Sequence, residues 1–592
     1  MGNKHNLLIL TFLAFLTFSC TQEYKSISLQ EDLMVKMDSL QLKIEDFEKT
    51  VKEDKNQSDI QKTFQKCRSQ YKKIEWAVEY FTPDPARFIN GPALDELEVE
   101  ENKFLAPNGF QVIEEMIFPN YVKTSKKDLI REIRILSGNL KQVKKHFEAI
   151  TITPDFVMDA TRMEVYRILT LGITGFDSPI ALQSITETES SLQSITTTVN
   201  ALSLKSSKTQ KDLQKLTHNA IIYCQNNNDF NTFNRLEFIT KYLNPISVQL
   251  AVLQKENKIE LVSRNNVINP KSSNLFDKNT FDVNAFIPSK EYSFSKEKVA
   301  LGEKLFYDKQ LSKSNDRSCA SCHNPENAFT DGLKTNASLN GGLLSRNTPT
   351  LTYAAFQNAQ FWDMRQPDLE KQSLAVIQNK DEMHGNLKES ISRLNDDNTY
   401  KVLFIKAFKT NSNLEEWQLQ NALASYIRSL NAFNSQFDNY MQGKSKLYSA
   451  EEQLGFNLFA GKAKCATCHF IPLFNGTVPP VYKKTEQEVI GTPSDKTGKM
   501  ISPDSGRFSQ YKMAQLNHAF KTPTLRNIAK TAPYMHNGVF DTLEEVVDFY
   551  NKGGGIGLGY EVKNQTLPSD KLNLTAKEKQ ALVAFMKTLT DK

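Results

Sequence analysis

Helix breakers are scarce at the start of this chain. No glycine occurs between Gly2 and Gly91, and no proline before Pro83, so nothing there interrupts a helix. Charge of one sign is also lacking. The formal net charge of +5 over 592 residues is small and spread out, which argues against a nucleic-acid or membrane-surface patch. Beyond the first twenty residues no apolar run is long enough to cross a bilayer. Cysteine and histidine are few, at 7 and 8, so any place where they cluster carries information. Hydrophobic content of 39% and charged content of 24% fit a globular body. The length implies roughly three or four domains.

The cysteines do cluster. Cys319-Ala-Ser-Cys322-His323 recurs as Cys465-Ala-Thr-Cys468-His469. C-x-x-C-H is the attachment signature of c-type haem. Two thiols one turn apart bind the porphyrin, and the adjacent His becomes the proximal iron ligand. A zinc knuckle would need two ligand pairs close enough to converge. A redox C-x-x-C has no reason to carry the His twice. Each pentad follows a related phrase, Val299-Ala-Leu-Gly302-Glu-Lys-Leu-Phe306 and Leu454-Gly455-Phe-Asn-Leu-Phe459, which indicates an internal duplication.

At the N-terminus, Lys4 and His5 precede an apolar run from Leu7 to Phe18. This reads as a signal peptide over residues 1–20. Ser19-Cys20 at its end resembles a bacterial lipobox, in which Cys20 is acylated; the alternative is an ordinary signal peptide. The expectation is a lipid-anchored protein of the periplasm or cell envelope, where c-type haem is attached. Cys67 and Cys224 remain. They could pair, or be buried thiols in helices.

Apolar residues at Leu29, Leu33, Met37, Leu40, Ile44, Phe47 and Val51 have helical spacing. Further helical patterns run over about 126–150, 159–171, 209–226 and 230–255. Residues 25–255 thus read as an all-α domain, and 256–295, rich in Asn, Ser, Lys and Pro, as a linker. The first haem domain spans 296–445 and the second 446–592. The fold class expected is mainly α: a helical bundle followed by two cytochrome c-like haem domains. Phe88-Ile-Asn-Gly-Pro92 and Leu105–Glu115 resemble the imelysin-type helical domain. That family carries G-x-H-x-x-E; here Gly109-Phe-Gln111-Val-Ile-Glu114 has Gln in place of His, a poor transition-metal ligand.

Several phrases are similar to those of bacterial di-haem cytochrome c peroxidases and the related MauG enzymes. They are Ser345-Arg-Asn-Thr-Pro-Thr350, Ala359-Gln-Phe-Trp-Asp363, Leu374–Asn379, Asp381-Glu-Met383, Lys521–Asn527 and Thr531–Gly538. The likeness covers about residues 296–592. It implies that the N-terminal haem reacts with peroxide while the C-terminal haem receives electrons. On it, Glu382 is the catalytic carboxylate, Gln372 a second polar distal residue, and Trp362 the aromatic between the haems. Asn347, Thr531 and Pro533 match positions that hold a calcium ion, an oxygen-ligand site. On this resemblance electrons are expected from a small redox protein (a cytochrome or cupredoxin), a quinol-linked chain or a protein substrate, and members of the family are often dimers.

Two departures set the subtype. Members that shed a distal His on reduction carry it in the loop after the first pentad, but Asn324–Thr350 contains neither His nor Met. The first haem is therefore expected to be open, with His384 and Met364 the residues that could close it. At the second haem the usual distal Met falls, by counting, near Tyr550. MauG enzymes have Tyr there, and an oxygen ligand stabilises ferric iron. Met535, Met513 and Met500 are the alternatives. The expected activity is reduction of hydrogen peroxide. The rivals are a MauG-like oxidase acting on a protein and a non-catalytic electron-transfer cytochrome.

Overall fold

The computed structural model describes residues 28–592 apart from 203, 206, 265, 411–412 and 446–447. The signal-peptide reading and Cys20 lie outside the described residues. The chain is mainly helical, and its only paired strands among the described residues are two two-stranded ribbons. No described helix is long and apolar enough to cross a membrane.

The chain begins with helix α1 (Leu29–Lys52), opened by a capping box between Ser28 and Glu31. Its apolar stripe, Leu33, Met37, Leu40, Ile44, Phe47 and Val51, is fully buried. That stripe packs on α2 (Gln57–Tyr71) and on a long helix at Lys126–Ala149. Helix α3 (Pro154–Arg167) runs into a π-turn at Ile168–Gly172 and supplies the inner wall of this domain. A helix at Ser184–Ala201 has no counterpart in the sequence reading, because its Ser and Thr residues dilute the apolar period. Cys67 and Cys224 are buried and free, so they are thiols and form no disulfide.

Inside the helical domain charges are buried in one network. Arg68 donates to both carboxylate oxygens of Glu187 at 2.8 and 2.6 Å. Lys72 reaches Glu75 at 2.7 Å and Asp177 at 2.6 Å, and Arg167 also pairs with Asp177. Burial alone would raise the Asp177 carboxyl, but Arg167 and Lys72 hold it well below the carboxylate range.

The two haem regions share one plan. Helix α4 (Lys296–Tyr307) packs on α5 (Glu416–Ser429), and α6 (Ala450–Phe459) packs on α7 (Ala576–Lys587). The repeated glycines explain the crossing. A Cβ on Gly302 would lie 1.9 Å from the Ala422 carbonyl oxygen, and one on Gly455 would lie 1.9 Å from that of Ala581. Only glycine lets the backbones approach this closely.

One hydrophobic core runs continuously from the helical domain into the second haem region. The first haem region has a core of its own. Residues 256–295 contribute to the shared core through Val267, Phe276 and Phe281; Phe281 packs against Phe356, Phe433 and Tyr482. The seam between helical domain and second haem region is polar as well. Asn457 accepts from the Leu236 N–H at 2.9 Å and donates to Asn234 at 3.0 Å, and Lys464 donates to the Pro179 carbonyl at 3.1 Å. Phe176 meets Phe470 edge-on.

Candidate active site

Each pentad folds into a tight 3-10 turn, Cys319–Ser321 and Cys465–Thr467. The following His closes the turn: the His323 N–H donates to Cys319 O at 2.9 Å, and the His469 N–H to Cys465 O at 3.0 Å. His323 Nδ1 faces the Phe329 carbonyl at 2.8 Å. His469 Nδ1 faces the carbonyls of Pro523 at 3.1 Å and Phe474 at 3.3 Å. A carbonyl only accepts, so Nδ1 carries the proton and Nε2 is left for a metal. Burial holds both imidazoles neutral, His469 down to about 4. Two thiols and a neutral imidazole oriented in this way fit a c-type haem at both places.

Around the first pentad the structure gathers the predicted acid. Glu382 stands close enough to Cys322 to act on it electrostatically. Its backbone carbonyl accepts from Arg317 at 3.3 Å, and its carboxylate accepts from Asn379 at 2.6 Å. Burial pushes the carboxyl above the ordinary range, against the pull of Asn379 and Arg365. Gln372, one turn inside the helix Leu369–Gln378, has its amide oxygen buried without a hydrogen-bond partner, and it lines the large cavity described below. An orphaned buried oxygen of this kind calls for a partner.

Of the two residues that could close the first haem, Met364 is occupied elsewhere, its sulfur 3.3 Å from Arg507. His384 is half-buried, on the turn whose backbone N–H donates to Asn379 O.

Several of the family phrases meet one another in the structure. Trp362 Nε1 donates to Asn347 O at 2.9 Å, and the Trp362 carbonyl accepts from the Lys521 N–H at 2.7 Å. The tryptophan is thus fixed by one segment from each haem region. Arg346 ties the same two regions, reaching Asp363 at 2.6 Å and Asp504 at 2.7 Å. Asn347, Thr531 and Pro533 line one cavity; the Asn347 amide donates to Leu333 O at 2.9 Å. Among the described residues no group of three or more His, Cys, Asp or Glu is placed to hold a metal ion.

That cavity, of about 1710 Å³, also takes in Cys465, Cys468, His469 and Tyr550. Tyr550 lies on the helix Leu543–Asn551. Its phenol is raised by burial and by the nearby Cys468 and Cys465. Of the alternatives, Met535 lines the cavity, Met500 is 67% exposed, and Met513 sits in a separate small cluster.

Some residues at the site were not singled out in the sequence. Glu488 is enclosed beside Cys468, accepts from the Thr566 hydroxyl, and is pushed up by burial to about 7. Lys521 Nζ donates to Gln357 at 2.6 Å, and desolvation brings it down to about 7. Neither carries a motif of its own; only adjacency to the Lys521–Asn527 phrase marks Lys521.

Two haem-binding turns built on one plan define a di-haem c-type oxidoreductase. Residues 296–446 match the family described as di-haem cytochrome c peroxidase. The methylamine utilization protein MauG of Methylorubrum extorquens is 34% identical over 297 residues, which are 50% of this chain and 78% of that protein. The cytochrome c551 peroxidase of Pseudomonas aeruginosa is 32% identical over 302 residues, 50% of this chain and 80% of that protein. A solved MauG-like protein associated with microbial copper homeostasis is 32% identical, with a TM-score of 0.45, covering 52% of this chain and 94% of that one. The chain belongs to the di-haem cytochrome c peroxidase and MauG family, which implies two c-type haems.

Proposed function

We propose that the protein reduces hydrogen peroxide to water at the first haem, with electrons entering at the second. The observation that carries this reading is Glu382, a half-buried carboxyl held by Asn379, whose backbone carbonyl accepts from Arg317 just ahead of the first pentad and whose pKa is raised by desolvation. When bound, the haem iron held by His323 supplies the electrons that cleave the O–O bond. The chain's own groups handle the proton. The Glu382 carboxylate takes a proton from the inner oxygen of peroxide and returns it to the outer one. Asn379 orients that carboxylate, and the orphaned Gln372 oxygen accepts a hydrogen bond from the substrate. Trp362, fixed at both its indole and its backbone, provides the path for electrons between the haem sites.

Tyr550 is proposed as the distal ligand of the second haem, and Asn347, Thr531 and Pro533 as the calcium site. The exported, lipid-anchored location through Cys20 is likewise part of this proposal. So is a small redox protein as a donor.

A second reading has an observation of its own. Tyr550 lining the cavity with Cys465, Cys468 and His469, and the absence of His and Met from Asn324–Thr350, are also what a MauG-like oxidase of a protein substrate would have. Steady-state peroxide consumption with a reduced cytochrome separates the two. Rapid turnover supports the peroxidase; no turnover, together with a long-lived absorbance change after peroxide alone, supports the oxidase.

A further inference from the structure

The first haem region carries a ladder of rings that the peroxide chemistry leaves unused. It starts at Phe329, whose carbonyl faces His323 Nδ1 at 2.8 Å. The Phe329 ring lies 6.0 Å from that of Phe306 and 6.4 Å from that of Tyr426, and the Phe306 and Tyr426 rings are 5.0 Å apart. Centroid separations of this size mean that the rings touch. Phe306 and Tyr426 belong to one core, and Cys319 and Ala320 of the pentad pack against that core together with Phe329.

The ladder ends at the surface. Tyr426 is 7% exposed, whereas Tyr307, the last residue of α4, is 48% exposed. The Phe306 and Tyr307 rings are 5.5 Å apart, and the Tyr426 phenol is hydrogen-bonded to that of Tyr307. Glu303, exposed and one turn before Tyr307, is near enough to act on the Tyr426 phenol electrostatically. Gly302 makes room for this arrangement, since a Cβ there would stand 3.0 Å from the Tyr426 Cβ. A phenylalanine at 426 would fill the core equally well without a hydroxyl to desolvate. What the hydroxyl adds is the link to Tyr307. A phenol gives up an electron most readily when its proton can leave at the same time, and each phenol here has an acceptor beside it: Tyr307 for Tyr426 and Glu303 for Tyr307.

We propose that Tyr426 and Tyr307 form an exit for oxidising equivalents from the first haem site, ending as a phenoxyl radical at Tyr307 on the surface. This deepens the peroxidase reading and rests on it for the oxidant. An electron leaves Tyr426 toward the His323 site as its hydroxyl proton shifts to the Tyr307 oxygen. Tyr307 then returns an electron and that proton, and its own proton goes to Glu303. The net loss is one electron and one proton from Tyr307. Hydrogen peroxide takes up two electrons and two protons, its O–O bond breaks, and two waters form. Tyr307 supplies one electron and one proton at each of two turns, and a small hydrogen-atom donor in solution, such as ascorbate, restores it after each. The exit drains the site when no electron arrives from the second haem.

The test mixes the oxidised holoenzyme with hydrogen peroxide, without any donor, in the presence of the radical trap 2-methyl-2-nitrosopropane. Tryptic peptides are then read by mass spectrometry. The peptide Leu305–Lys309 holds a single tyrosine, Tyr307, so an adduct on it is unambiguous. The expected result is an adduct there, lowered at least tenfold in Tyr426→Phe, although Tyr307 is still present and exposed. The amount of peroxide needed to bleach half the haem should fall at least twofold in both Tyr426→Phe and Tyr307→Phe, with haem content and melting temperature unchanged. No adduct on Tyr307, or one that Tyr426→Phe leaves unchanged, overturns the proposal. If Tyr307 is never labelled while peroxide turns over with a reduced cytochrome, the exit falls and the peroxidase reading stands. If Tyr307 is labelled through Tyr426 but the cytochrome is not oxidised, the exit stands and the peroxidase reading falls. If peroxide changes neither the haem absorbance nor Tyr307, both fall.

Discussion

Replacing Glu382 by Gln probes the proposed chemistry with little change of shape. The amide oxygen introduced by Glu382→Gln would keep the volume and could still accept from Asn379, which now donates to Glu382 at 2.6 Å. The change removes the ability to take and return a proton. A positioned acid–base group contributes about 10²- to 10⁴-fold to a rate, which is about 3–5 kcal/mol of barrier. The assay is stopped-flow mixing of holoenzyme with peroxide, following haem absorbance, with haem content and thermal melting as controls. The pH profile adds a second readout. Only the ionised carboxylate can accept the proton, so the wild-type rate should fall as pH drops through the Glu382 pKa. Burial raises that pKa, so the fall should come at higher pH than for a solvent-exposed Glu. The acid limb should vanish in Glu382→Gln. A loss below threefold, or an unchanged acid limb, refutes the role of Glu382.

Three further outcomes are expected. Gln372→Leu removes the orphaned buried oxygen, and the peroxide reaction should slow by about tenfold, the equivalent of one hydrogen bond of about 1.4 kcal/mol, with little change in melting temperature. Gly455→Ala sets a Cβ against the Ala581 carbonyl; forcing the helices apart should cost about 1–3 kcal/mol, read as a lower midpoint in a denaturant melt followed at the second haem. Tyr550→Phe deletes the proposed oxygen ligand, so the reduction potential of the second haem should rise in a redox titration, whereas a merely structural tyrosine would leave it in place.

The haem turns and their duplication were legible because the chemistry demands contiguous residues. Glu382, Gln372, Trp362 and Tyr550 were nominated only through family phrases, since a lone Glu or Tyr has no local signature. The long amphipathic helices were readable from spacing, as with Leu33 to Val51 in α1. Ser184–Ala201 was not, because its period is diluted by hydroxyl residues. Residues 256–295 have a loop composition, yet Val267, Phe276 and Phe281 pack into the shared core; isolated apolar residues without a period do not announce their partners. The buried network around Asp177 is invisible in the sequence, where Lys72, Glu75 and Arg167 read as ordinary surface charge. The seating of the helical domain on the second haem region, through Asn457 and Phe176, depends on tertiary contacts alone.

On the proposed reading, the first haem has an open coordination site beside a second, fully ligated one. Electron paramagnetic resonance of the oxidised holoenzyme tests it directly, since it reports both axial ligand sets in one spectrum. Two haems per chain are expected, one giving a high-spin ferric signal and the other a low-spin signal. Two low-spin signals that persist at every oxidation level, or fewer than two haems per chain, would contradict it.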